Sequence, residues 1–219
     1  MRILVTPKTM TPAQSICVTP APIVISARPL RILDFDIENR PLSYLGSDFT
    51  TAEVTALAWA WTDRPEAVTC YLLGETDPVV ILRAFLAVYN QADMVTGHYV
   101  KGHDLPILNG ALMEYQLPLL SDKLVCDTKL DLIRRKGLSM SQESLGAMLR
   151  LEHQKVTMNQ ATWRSANRLE PEGREAARTR VVGDVQQHIE LRRRLLALGY
   201  LGPARIWKSS TARVEGYEP

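Results

Sequence analysis

The sequence predicts an α/β protein: a mixed sheet, antiparallel meander then parallel strands, flanked by helices. Three observations carry this. Three strand-like runs follow one another between Arg31 and Leu73 with only loops between them, as a meander requires. Beyond Asp77 the pattern changes to alternating short strands and helices, which favours parallel pairing. The composition, 46% hydrophobic and 23% charged over 219 residues, is that of a globular chain able to bury one sizeable core.

In chain order, residues 1–28 read as an N-terminal extension. Pro7, Pro12, Pro20 and Pro22 punctuate short apolar pieces such as Ile23-Val24-Ile25, part of which adds an edge strand. Arg31 to Glu38 reads as a buried strand, Pro41 to Thr50 as a loop, Val54 to Trp61 as a second strand and Ala67 to Leu73 as a third. Asp77 to Asn90 is a helix, with Asp77 as N-cap and Pro78 at its first position. Met94-Val95-Thr96 is a short strand ending at Gly97. Leu105, Leu108, Leu112 and Tyr115 give Asp104 to Tyr115 helical spacing, so Asp104 stands at a helix start. Leu124 to Cys126 is a further strand and Leu130 to Arg135 a helix. Ser141 caps a helix carrying Leu145, Met148 and Leu149. Pro171 to Leu198 is a long helix with an apolar stripe through Val181, Val185, Ile189, Leu191 and Leu195. Residues 29–200 form the expected domain and 201–219 a C-terminal tail.

Several function classes are disfavoured. No run reaches the roughly 18 apolar residues of a membrane span, since Val79 to Val88 is interrupted by Arg83. The first residues lack the pattern of an export signal. Cys17, Cys70 and Cys126 are widely spaced, without the Cys-x-x-Cys pair of a zinc site, and fit a reducing, cytoplasmic setting. There is no phosphate-binding P-loop and no Gly-x-Ser-x-Gly elbow. The net charge of +2 hides an asymmetry: residues 1–128 carry 9 Lys+Arg against 14 Asp+Glu, and residues 129–219 carry 17 against 10. A basic surface beside an acidic centre suits a polyanionic substrate.

The acidic centre is the most informative feature. Residues two apart on a strand share a face, so Asp36 and Glu38 present two carboxylates side by side. Their repulsion is relieved by cations, and oxygen ligands without thiolate suit Mg2+ or Mn2+ rather than Zn2+. Asp104 and Asp184 complete a set of four carboxylates. Asp34 lies on the same strand face and competes with Asp36 for the assignment.

These residues resemble a known family over about residues 30–198. Phe35-Asp36-Ile37-Glu38, the Asp104 of Gly97-His98-x(5)-Asp104-x-Pro106, and Gly183-Asp184-Val185 on a late helix look like the three motifs of the DEDD superfamily of 3′–5′ exonucleases. The closest flavour is the proofreading domain of family B DNA polymerases. The resemblance implies a ribonuclease H-like fold and two Mg2+ or Mn2+ ions held by Asp36, Glu38, Asp104 and Asp184. It implies hydrolysis of single-stranded nucleic acid from a free 3′ end, with DNA favoured over RNA. Because the chain has no room for a polymerase domain, a proofreading role would need a polymerase or replication partner. The second motif departs from the family by carrying Tyr99 at a usual Asn and His103 at a usual aromatic position. In the third, Arg180 and Thr179 occupy the positions of the Tyr or His that orients the attacking water. That departure motivates an alternative, a catalytically degenerate member that binds nucleic acid or a partner. Candidate substitutes for the missing group are His188, one turn beyond Asp184, and His103 beside Asp104. Asn39, Leu42 and Tyr44 follow the first motif where the family contacts the terminal nucleotide. Tyr99 joins them as a substrate-binding candidate, with Lys155 and Arg180 available for phosphates.

Overall fold

The computed structural model describes residues 28–42, 50–133 and 135–209. Among these residues one mixed sheet runs in the order β3-β2-β1-β4-β5-β6. The strands are β1 (Ile32–Pro41), β2 (Ala52–Trp61), β3 (Thr69–Leu72), β4 (Met94–Gly97), β5 (Lys123–Asp127) and β6 (Arg205–Trp207). β1, β2 and β3 pair antiparallel, as the meander requires, while β4 lies parallel to β1 and β5 parallel to β4. The expected mixed sheet is therefore present. The N-terminal edge-strand expectation falls on residues 1–27, outside the described residues.

Alternation along β1 separates two chemistries. Leu33, Phe35 and Ile37 face one side, where they pack with Leu57 and Trp59 of β2. On that side the core is closed by Ile81, Leu82, Phe85 and Tyr89 of α1 (Pro78–Gln91) and by Leu105, Leu108 and Leu112 of α2 (Asp104–Glu114). The opposite face carries Asp34, Asp36 and Glu38, paired across the ladder with Ala60, Ala58 and Ala56. α6 (Pro171–Ala197) lies over this face, packing Val181, Val185 and Ile189 against the three alanines. Because alanine side chains are short, a helix seated on them comes close to the sheet, and its neighbouring turns approach the acidic strand. The result is a three-layer α/β/α sandwich with the acidic residues inside one layer boundary.

The remaining helices buttress α6. α3 (Thr128–Leu132) and α4 (Gln142–Leu149) contribute Leu132 and Leu145 to a cluster with Leu191 and Leu195. α5 (Gln160–Asn167) packs against the start of α6, where a Cβ on Gly173 would lie 2.2 Å from the Ala166 nitrogen. Helix starts follow the capping chemistry of the sequence: the Asp77 side chain accepts from the Val79 N–H and Ser141 from the Ser144 N–H. Two elements are additions to the sequence reading, α5 and β6, the latter formed by residues 205–207 of the segment read as a tail. No helix among the described residues is long and apolar enough to cross a membrane.

Candidate metal centre

β1 delivers Asp36 and Glu38 to the sheet face beneath α6, and its register against β2 shifts immediately after Glu38. Such a bulge increases local twist and redirects the side chains that follow. The residue skipped in the register is Thr55 of β2, whose hydroxyl donates to the Glu38 carbonyl at 3.1 Å; Asn39 lies off the acidic row by strand alternation. From the helix side comes Asp184, 1% exposed. The amide of Gln142 donates to its backbone carbonyl at 2.8 Å, pinning this turn of α6 to α4. One carboxylate oxygen from each of Asp36, Glu38 and Asp184 lies within 4.8 Å of the others.

Asp104 stands beside this trio without joining it. It is the first residue of α2 and almost fully buried, and its Oδ1 accepts the Ile37 N–H at 3.2 Å. His103 Nδ1 lies 3.4 Å from its Oδ2. The four-carboxylate set expected from the sequence thus resolves into three converging groups and a fourth held to the β1 backbone.

Burial dominates the electrostatics. It pushes the Asp36 carboxyl well above its ordinary value, and repulsion from Asp104, Asp184 and Glu38 adds to the shift while Lys155 eases it. Glu38 and Asp184 are also raised by burial, against the pull of Arg180 on the first and of Lys155 on the second. The cations are close: Lys155 Nζ lies 2.6 Å from Asp184 Oδ2 and Arg180 Nε 2.6 Å from Glu38 Oε1. Arg180 also donates to the Val156 carbonyl at 2.7 Å and lies over the Trp163 ring, 5.0 Å from its centroid. Asp184 Oδ1 is buried with no hydrogen-bond partner among the described residues. Hard oxygen donors, raised carboxyls and one orphaned oxygen in a single pocket fit a divalent cation such as Mg2+ or Mn2+.

Of the two candidate histidines, His188 has other duties. His188 shares a helix face with Asp184, as the spacing predicts, but both its ring nitrogens are taken by buried protein partners. Its Nδ1 is 2.9 Å from both Asp34 oxygens and its Nε2 is 2.9 Å from the Thr128 hydroxyl. Asp34, fully buried, is thereby assigned to His188, which leaves Asp36 to the carboxylate cluster. The Thr128 hydroxyl also meets His98 Nδ1 at 3.0 Å, and His98 Nε2 donates to the Met140 carbonyl at 2.8 Å. Burial, with His188 nearby, pushes His98 down to about 4, so it is neutral in this chain of contacts. His103 is more exposed, and its contact with Asp104 raises it above the ordinary histidine value.

The substrate candidates divide. Tyr99 is 37% exposed in the loop between β4 and α2, with φ of 77° and Lys129 Nζ 4.1 Å from its ring centroid. A Cβ on Gly102 would meet the Tyr99 ring at 2.5 Å, so glycine there is what lets the ring lie across the loop. Leu42 is a packing residue, 8% exposed, with its N–H bonded to Thr51 O. Asn39 is half-buried at the end of the bulge, and Tyr44 lies outside the described residues. Asp127 is a residue that sequence reasoning missed. Its carboxylate accepts the N–H groups of Tyr99, Lys101 and Leu130 at 3.0 to 3.1 Å, tying the loop before α2 to the end of β5. The signal was present as an Asp directly before a short helical run.

No protein-family model matches the sequence, and no curated protein matches it. Among solved structures, the chain is similar to the family B DNA polymerase of the hyperthermophilic archaeon Pyrobaculum calidifontis, with a TM-score of 0.62 and 17% sequence identity. The match covers 79% of this chain and 25% of the polymerase chain, so it spans a quarter of that protein. At this identity the likeness concerns the fold, a mixed sheet flanked by helices consistent with a ribonuclease H-like architecture.

Proposed function

We propose that the chain is a metal-dependent 3′–5′ exonuclease that hydrolyses phosphodiester bonds of single-stranded nucleic acid, with DNA favoured. The observation that carries this reading is the convergence of Asp36, Glu38 and Asp184 within 4.8 Å, where desolvation raises all three carboxyls. The three motif residues come from β1 and α6, elements separated by about 150 residues of chain. Surface acids cluster by chance, whereas a cluster drawn from distant elements around the buried Asp184, with Asp36 and Glu38 only partly exposed, costs stability unless it is used.

Asp36, Glu38 and Asp184 would hold Mg2+ or Mn2+, with Asp104 completing the set. Such ions supply Lewis-acid polarisation of the phosphate and a water acidified for attack. Lys155 and Arg180 set positive charge beside the carboxylates, where an incoming phosphodiester would otherwise be repelled. The exposed face of Tyr99 offers a surface on which a base can stack. His103, raised by Asp104 and open to solvent, is the histidine placed to hold or accept a proton near the site. A reducing intracellular setting and a polymerase or replication partner complete the proposal.

Degradation of a 5′-labelled single-stranded DNA with Mg2+ or Mn2+, wild type beside Asp36→Ala and Asp184→Ala, tests it. A ladder shortening from the 3′ end and absent from both variants is the expected result. A matched RNA substrate separates the exoribonuclease alternative. The second reading, a nucleic-acid-binding protein on a degenerate exonuclease fold, is favoured by one observation: Arg180, at the position where some of the family keep Tyr, is paired with Glu38. Binding of the oligonucleotide without cleavage under either metal would select it.

A further inference from the structure

Arg180 is held more firmly than a phosphate-seeking surface arginine. Its Nε is 2.6 Å from Glu38 Oε1 and 3.9 Å from Asp184 Oδ2, with both ion-pair side chains mostly shielded from solvent. Its Nη1 is fixed by the Val156 carbonyl at 2.7 Å, and its flat face rests over Trp163. Ion pair, carbonyl and ring thus hold the guanidinium from different sides, in the planar arrangement that arginine accepts and lysine does not. Lys155 adds a second cation at Asp184 Oδ2.

The charges then limit what else can enter. Among the described residues, Arg180 and Lys155 already occupy Glu38 and one oxygen of Asp184, and His103 lies against Asp104, so the room left for a further cation is at Asp36 and the free side of Asp184. Glu38 Oε1 and Asp184 Oδ2 are already taken, while among the described residues Asp36 has no paired base and Asp184 Oδ1 no hydrogen-bond partner.

We propose that Arg180 is a built-in cation that replaces one ion at the Glu38 side, so that this site binds a single divalent ion, between Asp36 and Asp184. The inference rests on the metal-dependent reading above and narrows it from two ions to one. A guanidinium contributes fixed positive charge and donors for a phosphate oxygen, but it does not acidify a bound water as a metal ion does. The chain therefore keeps the charge of the second site and gives up its Lewis acidity.

The test is the number of Mn2+ ions bound per folded chain, read by calorimetry and by the paramagnetic signal of free Mn2+, for wild type, Arg180→Gln and Arg180→Gln/Glu38→Gln. Thermal unfolding of each variant establishes that it is folded. One ion in the wild type, two in Arg180→Gln and a return to one in the double variant is the expected result. Two ions in the wild type, or an unchanged count in a folded Arg180→Gln, overturns the proposal, as does no binding at all. Because the readout is stoichiometry, a wild type that binds one ion yet cleaves no oligonucleotide defeats the exonuclease reading and leaves this one standing.

Discussion

At the scale of single residues, the candidate site is a place where stability has been given up. Asp36, Glu38 and Asp184 have folded-state values raised by burial, so each contributes stability that is present at low pH and lost as pH rises through the folded value. Near neutrality and without metal, Asp36→Asn removes that load. A higher melting temperature than wild type in metal-free buffer is expected, with no further rise on adding Mn2+. A lower melting temperature would show that the carboxylate stabilises the fold. His98 acts with the opposite sense of pH. Its folded value, about 4, lies below the ordinary 6.5, so the unfolded chain binds the extra proton between those limits. Stability falls on acidification from about pH 6.5 and levels off below about pH 4. Relative to His98→Gln, the wild type should lose about 2 kcal/mol more between pH 7 and pH 5 in urea unfolding, and equal losses would contradict a neutral buried His98.

At the scale of elements, α6 is the positioning device and α5 its clamp. A Cβ at Gly173 would meet backbone atoms of Ser165 and Ala166 at 2.2 Å, and backbone cannot swing aside as a flexible side chain can. Gly173→Ala is expected to cost about 1–3 kcal/mol in guanidinium unfolding and to loosen Trp163 beneath Arg180, visible as a change in tryptophan emission. An unchanged midpoint would mean that α5 does not pack there. Legibility differed among the elements for physical reasons. α1 announced itself through Asp77 and Pro78, because capping and a missing N–H act within a few residues. α5 carried an N-cap at Asn159 but few apolar residues, with Ala166 as its buried residue, so its helical state depends on docking against α6. β6 is three residues long and mostly exposed, and its backbone pairing to β5 is what makes it a strand.

For the whole molecule, the division between an acidic first part and a basic second part becomes a spatial arrangement. The carboxylates of β1 lie against α6, whose length also carries Arg174, Arg178 and Arg180. α5 adds the exposed Arg164 beside Trp163. Binding of a single strand across this region should weaken linearly in the logarithm of salt concentration. Arg164→Gln is expected to flatten that slope by about 0.7, the value for one phosphate contact on a single strand, in fluorescence-anisotropy titrations. A parallel slope would place the strand elsewhere.

The sequence by itself determined the mixed sheet, the capped starts of α1 and α4 and the acidic pair Asp36 and Glu38, since strand alternation and capping are local rules that two to four residues express; α3, read as Leu130 to Arg135, instead runs Thr128–Leu132 behind its Asp127 cap. It also nominated Asp184, through its resemblance to a motif. What the tertiary structure decided was the use of groups that locality leaves equivalent. Asp34 and Asp36 share a strand face, yet one meets His188 and the other the carboxylate cluster. His188 shares a helix face with Asp184 but is spent on Asp34 and Thr128. Arg180 and Lys155 reach the acids from α6 and from the segment before α5. Such assignments depend on how closely α6 settles on the alanines of β2, a packing distance set by side chains far apart in the chain.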